Sequence, residues 1–381
     1  AKELSCQFVF LNRLASDFNE FSMIEDQKYI LQQILKIAEE EKIDVVMLCG
    51  DIYDRTIPSV EAVELLDEFL CELNKTGKTV LMISGNHDSG DRLAFGTSFF
   101  RKSDLYISSR FQGELDRYIA EEGNTRINFW MLPFVKPVYV NHLLDIHTES
   151  YEECVRYLIE HTEINPKEIN ILMAHQFVTA GSGQPELSDS ETSSLGGLDN
   201  VDYRIFDDFD YVALGHIHKP QAMGRPQVRY GGSILKYSFS EVKKDKEAVV
   251  LHIEDGQLME MSFRKLTPLR DMREVIGTIG QIMNGEIQLG DTQDYVQVIL
   301  TDEEEIIDAI GKVRKVFPNV MQIRLENQRY VNPGQIAMEE EDMMRQDRMS
   351  LFTEFYAMQN HVDMGTKERE FLQSVFEEVG K

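Results

Sequence analysis

Two short apolar runs, each followed at once by polar residues, most constrain the fold of this chain. Residues 43–51 read IDVVMLCGD, and residues 79–88 read TVLMISGNHD. Each run follows a segment with helical spacing of apolar residues, at 26–42 and 59–75. This alternation predicts parallel strands joined by crossover helices, and runs that are apolar throughout predict strands covered on both faces. We therefore expect an α/β fold with a buried sheet.

Polar residues follow the strands at the positions where α/β proteins bind ligands. Further apolar runs lie at 127–134, 169–175, 210–218 and 247–255, with a helical segment around 151–162. Ligands of open α/β sheets collect at the carboxyl ends of the strands. The residues found there are Asp51, Asn86, His87, His175, His216 and His218. Carboxylate, amide and imidazole groups are ligands for Mn²⁺, Zn²⁺ or Fe²⁺, so we expect a centre for divalent metal ions. Two ions bridged by one carboxylate would suit an in-line displacement at phosphorus.

Net charge and cysteine content limit the classes of function and the cellular compartment to be expected. The formal net charge of −27 argues against a general polyanion binder. Bound cations, a local basic stripe or a partner subunit would still allow a phosphate ester to bind. The four cysteines are scattered without metal or redox spacing, which indicates a reducing cytosol. We find neither a signal peptide nor an apolar stretch of about 18 residues, and so we expect a cytoplasmic protein without a membrane segment.

The sequence predicts a second, smaller unit and a tail after residue 265. Helices are expected at 269–285 and 303–317, and strands at 294–302 and 319–326. An acidic, Met-rich stretch follows, and two short amphipathic helices close the chain. The predicted divisions are a catalytic domain at 1–265, a small α/β cap domain at 266–330, a linker at 331–348 and a helical tail at 349–381.

Four motifs resemble those of a known superfamily. The segments GDIYDR, GNHD, AHQ and GHIH, in this order and with these gaps, resemble the calcineurin-like metallophosphoesterases. More narrowly, NEFSMIEDQKYIL, GNHDSGDRLAFG and YGGSILKYSFSE are similar to the SbcD family of bacterial nuclease subunits. The resemblance covers nearly the whole chain from residue 19. It implies a sandwich of two mixed sheets flanked by helices, with a small α/β cap domain and a C-terminal helical tail.

The resemblance also implies a role for each motif residue. Asp51 would bridge two Mn²⁺ ions, and one metal shell would be completed by Asn86, His175 and His216. His218 would belong to the other metal. His87 would act as a catalytic residue on the leaving group or the transition state, and Asp88 would orient the loop or the histidine.

One motif of the superfamily is missing from the sequence. An Asp-x-His motif is expected at residues 11–13, where Leu11 and Arg13 stand instead. Leucine cannot bind a metal, and arginine carries a permanent positive charge, so the second metal site is expected to be impaired. Three interpretations remain: a naturally degenerate subunit, substitution by Asn12 or Asp17 as ligands, or a frameshift or assembly error within residues 1–18.

The resemblance implies a function and partners. SbcD-like subunits work with the SbcC ATPase on double-stranded DNA ends and hairpins, as exonucleases and endonucleases in DNA repair, recombination and replication. The implied assembly is a homodimer within a heterotetramer. The tail residues expected to bind SbcC are Leu351, Phe352, Phe355, Tyr356, Phe371, Leu372 and Phe376. The alternatives are a catalytically impaired scaffold subunit and another phosphoesterase of the superfamily, and the latter would need neither the cap domain nor the tail.

Overall fold

The computed structural model describes two units, a large β-sandwich and a small α/β unit. The described residues are 4–9, 17–18, 21–122, 125–181, 183–189, 191, 199–304, 306–326, and the single positions 365, 369 and 372. The helices in this part of the chain are α1 (Ile24–Glu40), α2 (Val60–Lys75), α3 (Gly90–Leu93), α4 (Thr97–Phe100), α5 (Pro137–Leu144), α6 (Tyr151–Glu160), α7 (Ile279–Asn284) and α8 (Ala309–Arg314). Within the same residues, no helix is both long enough and apolar enough to span a membrane.

The first sheet of the sandwich has six strands. In chain order they are β1 (Leu4–Val9), β4 (Val45–Cys49), β5 (Thr79–Ile83), β6 (Leu105–Ser108), β15 (Lys246–Glu254) and β16 (Gln257–Leu266). Their order across the sheet is β16-β15-β1-β4-β5-β6. The strands β1, β4, β5 and β6 are parallel, whereas β15 and β16 are antiparallel to their neighbours. The sheet is therefore mixed.

The second sheet also has six strands and is also mixed. Its strands are β7 (Asp116–Glu122), β8 (Thr125–Leu132), β9 (Ile169–Ala174), β12 (Tyr211–Leu214), β13 (Gln221–Met223) and β14 (Arg225–Tyr230). Their order across the sheet is β13-β14-β12-β9-β8-β7, with parallel pairing from β8 through β14 and antiparallel strands at both edges. Four two-residue strands lie outside these sheets: β2 (Asp17–Phe18), β3 (Phe21–Ser22), β10 (Val178–Thr179) and β11 (Val201–Asp202).

Apolar side chains fill three layers of this sandwich. Between the sheets, residues such as Met47 and Ile83 of the first sheet pack with Phe129 and Met173 of the second. A second core lies between the first sheet and helices α1 and α2, and a third lies between the second sheet and α6. Both faces of β4 are thus covered, which explains why all five of its residues are buried and apolar. The predicted sandwich of two mixed sheets flanked by helices is confirmed.

The small unit has a parallel three-stranded sheet and its own core. Its strands are β17 (Met272–Gly277), β18 (Tyr295–Leu300) and β19 (Val320–Leu325). Helices α7 and α8 cover the sheet, and Val275, Val298 and Phe317 lie in its core. A buried contact joins this unit to the sandwich: the Tyr295 hydroxyl lies 2.8 Å from Asp26 Oδ2 on α1.

Two helix predictions in the small unit were wrong in extent. The segment 269–285 begins with strand β17, and only its second half is helical, as α7. Within β17, Met272, Val275 and Gly277 are buried, and pairing with β18 outweighs the local helical pattern. A capping box formed by Thr278 and Gln281 then starts α7. The helix expected at 303–317 is shortened to α8, which begins after Asp308, where the Asp308 side chain caps it by accepting a hydrogen bond from the Gly311 N–H.

Candidate metal centre

Four side chains that follow strand ends meet at one edge of the sandwich. Asp51 and Asn86 come after β4 and β5 of the first sheet, and His175 and His216 come after β9 and β12 of the second. The strands of each pair are parallel neighbours, so their carboxyl ends lie side by side. Packing of the two sheets brings the pairs together, and contacts join His175 to both residues of the first sheet.

The distances among these side chains suit a single divalent ion. His175 Nε2 lies 3.3 Å from Asp51 Oδ1 and 3.1 Å from Asn86 Oδ1. His216 Nδ1 lies 2.9 Å from the same Asn86 oxygen. Ligand atoms of Asp51, His175 and His216 all lie within 4.8 Å of one another. Two oxygens and two ring nitrogens thus converge with the spacing of ligands that each sit about 2.0–2.2 Å from one ion.

The hydrogen bonds of His175 show that the cluster fits a cation. His175 Nδ1 lies 2.7 Å from the Cys49 carbonyl oxygen, which only accepts, so Nδ1 carries the proton and donates it. In the neutral ring, Nε2 then presents a lone pair toward the oxygens of Asp51 and Asn86, which also only accept. Three acceptors that face one another repel unless a cation lies between them. A divalent ion would relieve that repulsion.

The charges of Asp51 and His175 agree with this interpretation. Burial would raise the pKa of Asp51, but the charge and hydrogen bond of His175 outweigh burial and hold that pKa well below its ordinary value. Burial lowers the pKa of His175, but the Asp51 carboxylate reverses the effect and raises it. Asp51 is therefore ionised, as a metal ligand must be.

Two glycines allow the ligand loops to approach each other. Gly50 has φ +85°, and a Cβ there would collide with the His175 ring. A Cβ on Gly85 would collide with the Asp51 carboxylate. Asp51 and His216 themselves lie in the left-handed region, with φ +45° and +89°. Non-glycine residues adopt this conformation at a cost, and such strain is concentrated at functional sites.

Asp88 holds the two loops of the first sheet together. Its carboxylate accepts hydrogen bonds from the backbone N–H groups of Ile52 and Tyr53, at 3.0 Å each, and of Gly85 at 2.8 Å. Burial, together with the negative charge of Asp51, raises the pKa of Asp88 to about 6. Of the two roles expected for Asp88, these contacts favour orienting the loop.

His87 lies beside the four ligands and is held by its neighbours. Its backbone N–H donates to Asp51 Oδ1 at 3.0 Å, and its ring Nδ1 lies 3.1 Å from the Asp54 carbonyl oxygen. The ring is half-buried. Because the carbonyl can only accept, this contact favours the Nδ1–H form of the neutral ring.

His218 lies outside the cluster of Asp51, His175 and His216. It is buried, and its Nδ1 lies 3.5 Å from Ser188 Oγ and 3.7 Å from Glu241 Oε1. Its backbone N–H donates to Glu191 Oε1 at 2.6 Å, and its carbonyl accepts from Lys246 Nζ at 2.8 Å. Sequence reasoning missed Glu191, Glu241 and Lys246, although Glu241 ends the motif segment YGGSILKYSFSE.

Other predicted residues lie beyond the described part of the chain. These are Leu11, Asn12 and Arg13 of the missing motif, and Leu351, Phe352, Phe355, Tyr356, Phe371 and Phe376 of the tail. Leu372 is helical and half-buried. One backbone hydrogen bond, from the Arg369 N–H to the Gly365 carbonyl, is consistent with a helical turn there.

Comparison with known families identifies the chain. Residues 15–220 match the calcineurin-like phosphoesterase family, and residues 268–360 match the type 5 capsule protein repressor C-terminal domain, SbcD_C. The SbcD component of the nuclease SbcCD of Staphylococcus epidermidis is 36% identical over 313 residues, which cover 81% of this chain and 82% of that protein. The chain belongs to the SbcD family of calcineurin-like phosphoesterases. As an SbcD-family member, it is a hydrolase of the phosphodiesterase type, and the first match contains all seven motif residues between Asp51 and His218.

Two solved structures are also similar to this SbcD-family chain. A dimetal phosphatase from Danio rerio is 11% identical, with a TM-score of 0.41, over 69% of this chain and 99% of that one. GAP50, the anchor in the inner membrane complex of Plasmodium, is 11% identical, with a TM-score of 0.40, over 71% of this chain and 90% of that one.

Proposed function

We propose that this chain is a metal-dependent DNA phosphodiesterase, the nuclease subunit of a complex with an SbcC-type ATPase. The observation that carries the proposal is the convergence of Asp51, Asn86, His175 and His216 on one small volume. The 36% identity to the SbcD component of a nuclease supports DNA as the substrate. We further propose double-stranded ends and hairpins as the sites of cleavage, with roles in DNA repair, recombination and replication in the bacterial cytoplasm.

The residues of the site have distinct tasks in this proposal. A divalent cation at the four ligands would supply Lewis acidity toward a phosphodiester, and we propose Mn²⁺ as that ion because oxygen and imidazole ligands suit it. Asp51 stays ionised and orients the His87 backbone by accepting its N–H. With protons on both ring nitrogens, the His87 ring would keep Nδ1–H on the Asp54 carbonyl and donate the Nε2 proton to the leaving oxygen. Asp88 holds the loops that follow β4 and β5 together through its hydrogen bonds to their backbone N–H groups.

The proposed assembly explains how a chain as acidic as this one could bind DNA. With a net charge of −27, the chain repels DNA at long range, so bound cations and the ATPase subunit must supply the attraction. We propose a homodimer within a heterotetramer, and the domain divisions predicted at 265, 330 and 348. The aromatic and apolar tail residues from Leu351 to Phe376 would bind SbcC as amphipathic helices in a groove.

A cleavage assay tests the proposed activity. The purified chain, alone and with its ATPase subunit, is incubated with Mn²⁺ and end-labelled linear or hairpin DNA. We expect cleavage that requires Mn²⁺, is abolished by a chelator and is lost in Asp51→Ala. Asp207→Ala, which removes an exposed carboxylate outside the site, should cleave normally. Cleavage that survives both the chelator and Asp51→Ala would contradict the proposal, and hydrolysis of phosphomonoesters but not DNA would favour another phosphoesterase.

A scaffold role is the second candidate, favoured by Leu11 and Arg13 in place of the expected Asp and His. In that case the chain would bind DNA ends and the ATPase but cleave weakly or not at all. The Mn²⁺ content and the cleavage activity of the purified chain together separate the two candidates. Two tightly bound ions, or one ion with Mn²⁺-dependent cleavage, would exclude the scaffold, whereas one ion or none without cleavage would favour it.

Removal of the tail tests the proposed partner site. A chain truncated after Asn332 should keep the melting temperature of the sandwich and lose co-purification with the ATPase subunit. A second variant carries Leu351→Ala and Phe355→Ala in the full-length chain. It should weaken the same interaction without shortening the chain. Undiminished binding by the truncated chain would overturn this placement of the partner site.

A further inference from the structure

A buried ion pair lies directly behind His218. Glu241 is fully buried, Lys246 is 4% exposed, and Lys246 Nζ lies 2.5 Å from Glu241 Oε2. The same ammonium donates to Ser233 Oγ at 2.7 Å and to the His218 carbonyl oxygen at 2.8 Å. All three protons of the Lys246 ammonium therefore have acceptors, and one of these acceptors is the backbone of His218.

The carboxylate of the pair faces the ring of the same histidine. Glu241 Oε1 lies 3.7 Å from His218 Nδ1 and accepts a hydrogen bond from the Tyr237 N–H at 3.2 Å. The pair thus contacts His218 at two points, with Lys246 at its carbonyl and Glu241 at its ring.

Two contacts of Nδ1 favour one tautomer of His218. Ser188 Oγ, 3.5 Å from Nδ1, gives its only proton to Glu191 Oε2 at 2.9 Å. Toward His218 it can therefore only accept, and the Glu241 carboxylate can likewise only accept. These two acceptors favour a proton on Nδ1, and in the neutral ring Nε2 is then the nitrogen that can bind a metal ion.

The energetics of such a pair point to a role other than stability. Removing two charges from water is costly, and replacing a buried pair by apolar residues is often neutral or stabilising. Carboxylates that hold the second nitrogen of a ligand histidine set its tautomer and ring orientation. We propose that Glu241 and Lys246 are positioning residues for His218. Glu241 holds the Nδ1–H tautomer and Lys246 clamps the backbone carbonyl, so that Nε2 is presented to the metal centre.

The inference rests on the proposed metal-dependent function, because that function gives His218 its role as a metal ligand. Its test needs neither metal nor activity. The tautomer of His218 is read in the metal-free full-length chain from imidazole ¹⁵N chemical shifts, with the signal assigned by its loss in His218→Gln. We expect the Nδ1–H form to dominate in the parent chain. A parent chain with Nε2–H as the main form would overturn the proposal while leaving the proposed nuclease untouched.

A double variant separates positioning from a merely structural role. Glu241→Leu with Lys246→Met removes both charges together, so no buried charge is left unpaired. We expect it to fold and to shift the His218 population from the Nδ1–H form toward the Nε2–H form, because only Ser188 Oγ of the two acceptors remains. The matched control is Arg229→Met with Glu247→Leu, which removes a partly buried ion pair with a 2.7 Å contact between strands β14 and β15. This control should keep the parent tautomer, and an equal change in both double variants would overturn the proposal.

Two further variants complete the test. Glu241→Gln with Lys246→Met keeps an oxygen acceptor near Nδ1, and we expect it to restore the Nδ1–H form. If Glu241→Leu with Lys246→Met does not fold, Glu241→Asp provides the test instead. It keeps both charges of the pair but withdraws the carboxylate from the His218 ring by one methylene. We expect a mixed tautomer population in Glu241→Asp. An unchanged tautomer in the folded variant that lacks the Glu241 contact would overturn the proposal.

Discussion

The region around His175 and the region around His218 differ in how their side chains are brought together. Around His175, ligands from four strand ends meet within hydrogen-bond distance. Around His218, the described contacts come from acidic and basic residues behind the histidine, chiefly Glu241 and Lys246. In the first region, the two parallel strand pairs of the sandwich are enough to bring the four side chains together. The second, by the family resemblance, also needs residues 11–13, where the sequence has Leu-Asn-Arg.

This difference implies unequal roles for the two regions. The His175 region offers a carboxylate, an amide oxygen and two imidazoles, which together would make a full protein ligand set for one ion. The His218 region would share Asp51 and add one imidazole, with an arginine charge in the expected motif that opposes a cation. We therefore expect one strong metal site and one weak site, and the following variants test that expectation.

The largest effect is expected from Asp51→Ala. Asp51 supplies the only carboxylate of the four-ligand set, and its loss leaves the imidazoles without the charge that holds an ion. We expect no tight Mn²⁺ site by titration calorimetry and a fall in DNA cleavage of at least about 10³-fold, roughly 4 kcal/mol of transition-state stabilisation. The exposed Asp207→Ala serves as the control. Unchanged Mn²⁺ affinity in Asp51→Ala would remove the distinction between the two regions.

A smaller effect, confined to catalysis, is expected from His87→Gln. The ring lies beside the ligands but is held by the Asp54 carbonyl, so its loss should spare metal binding. We expect cleavage to fall by about 10²–10⁴-fold, the range for loss of a general acid or base. Calorimetry and single-turnover cleavage measure the two properties separately. If the variant loses its metal ion instead, His87 is a ligand and the proposed role is wrong.

A smaller effect again, a gain in bound Mn²⁺, is expected from restoring the Asp-x-His motif that the His218 region lacks. Leu11→Asp combined with Arg13→His restores the Asp-x-His motif and removes the opposing positive charge. We expect the Mn²⁺ content to rise from about one to about two ions per chain, with faster cleavage. The control, Leu11→Ala with Arg13→Ala, removes the arginine without adding ligands and should stay near one ion. No added ion in the restored variant would indicate that the weak region lacks more than these two residues.

The convergence of the four side chains around His175 could be predicted from the sequence because each of them follows a strand directly. Asp51, Asn86, His175 and His216 each come at the end of an apolar run, and strand order alone brings such positions to one edge. The sandwich could be predicted for the same reason, from continuous apolar runs and from motif resemblance.

The surroundings of His218 could not be predicted in this way. Glu191 lies in a loop and Lys246 begins an antiparallel strand, and neither is near His218 in sequence. They meet it only through the packing of loops onto the sheets. The helix predicted at 269–285 failed for a related reason, since pairing of Met272–Gly277 with β18 is a long-range contact that local periodicity does not contain.

The most direct test is the position of Mn²⁺ in crystals of the protein, located by anomalous scattering. We expect the strongest peak between Asp51, Asn86, His175 and His216, about 2.0–2.2 Å from a ligand atom of each. A second peak beside His218 should be weak in the parent chain and strong in Leu11→Asp with Arg13→His. Crystals of Asp51→Ala, soaked in the same way, should show neither peak. A parent chain with no Mn²⁺ at the four ligands, or with its strongest ion elsewhere, would contradict the proposed metal centre.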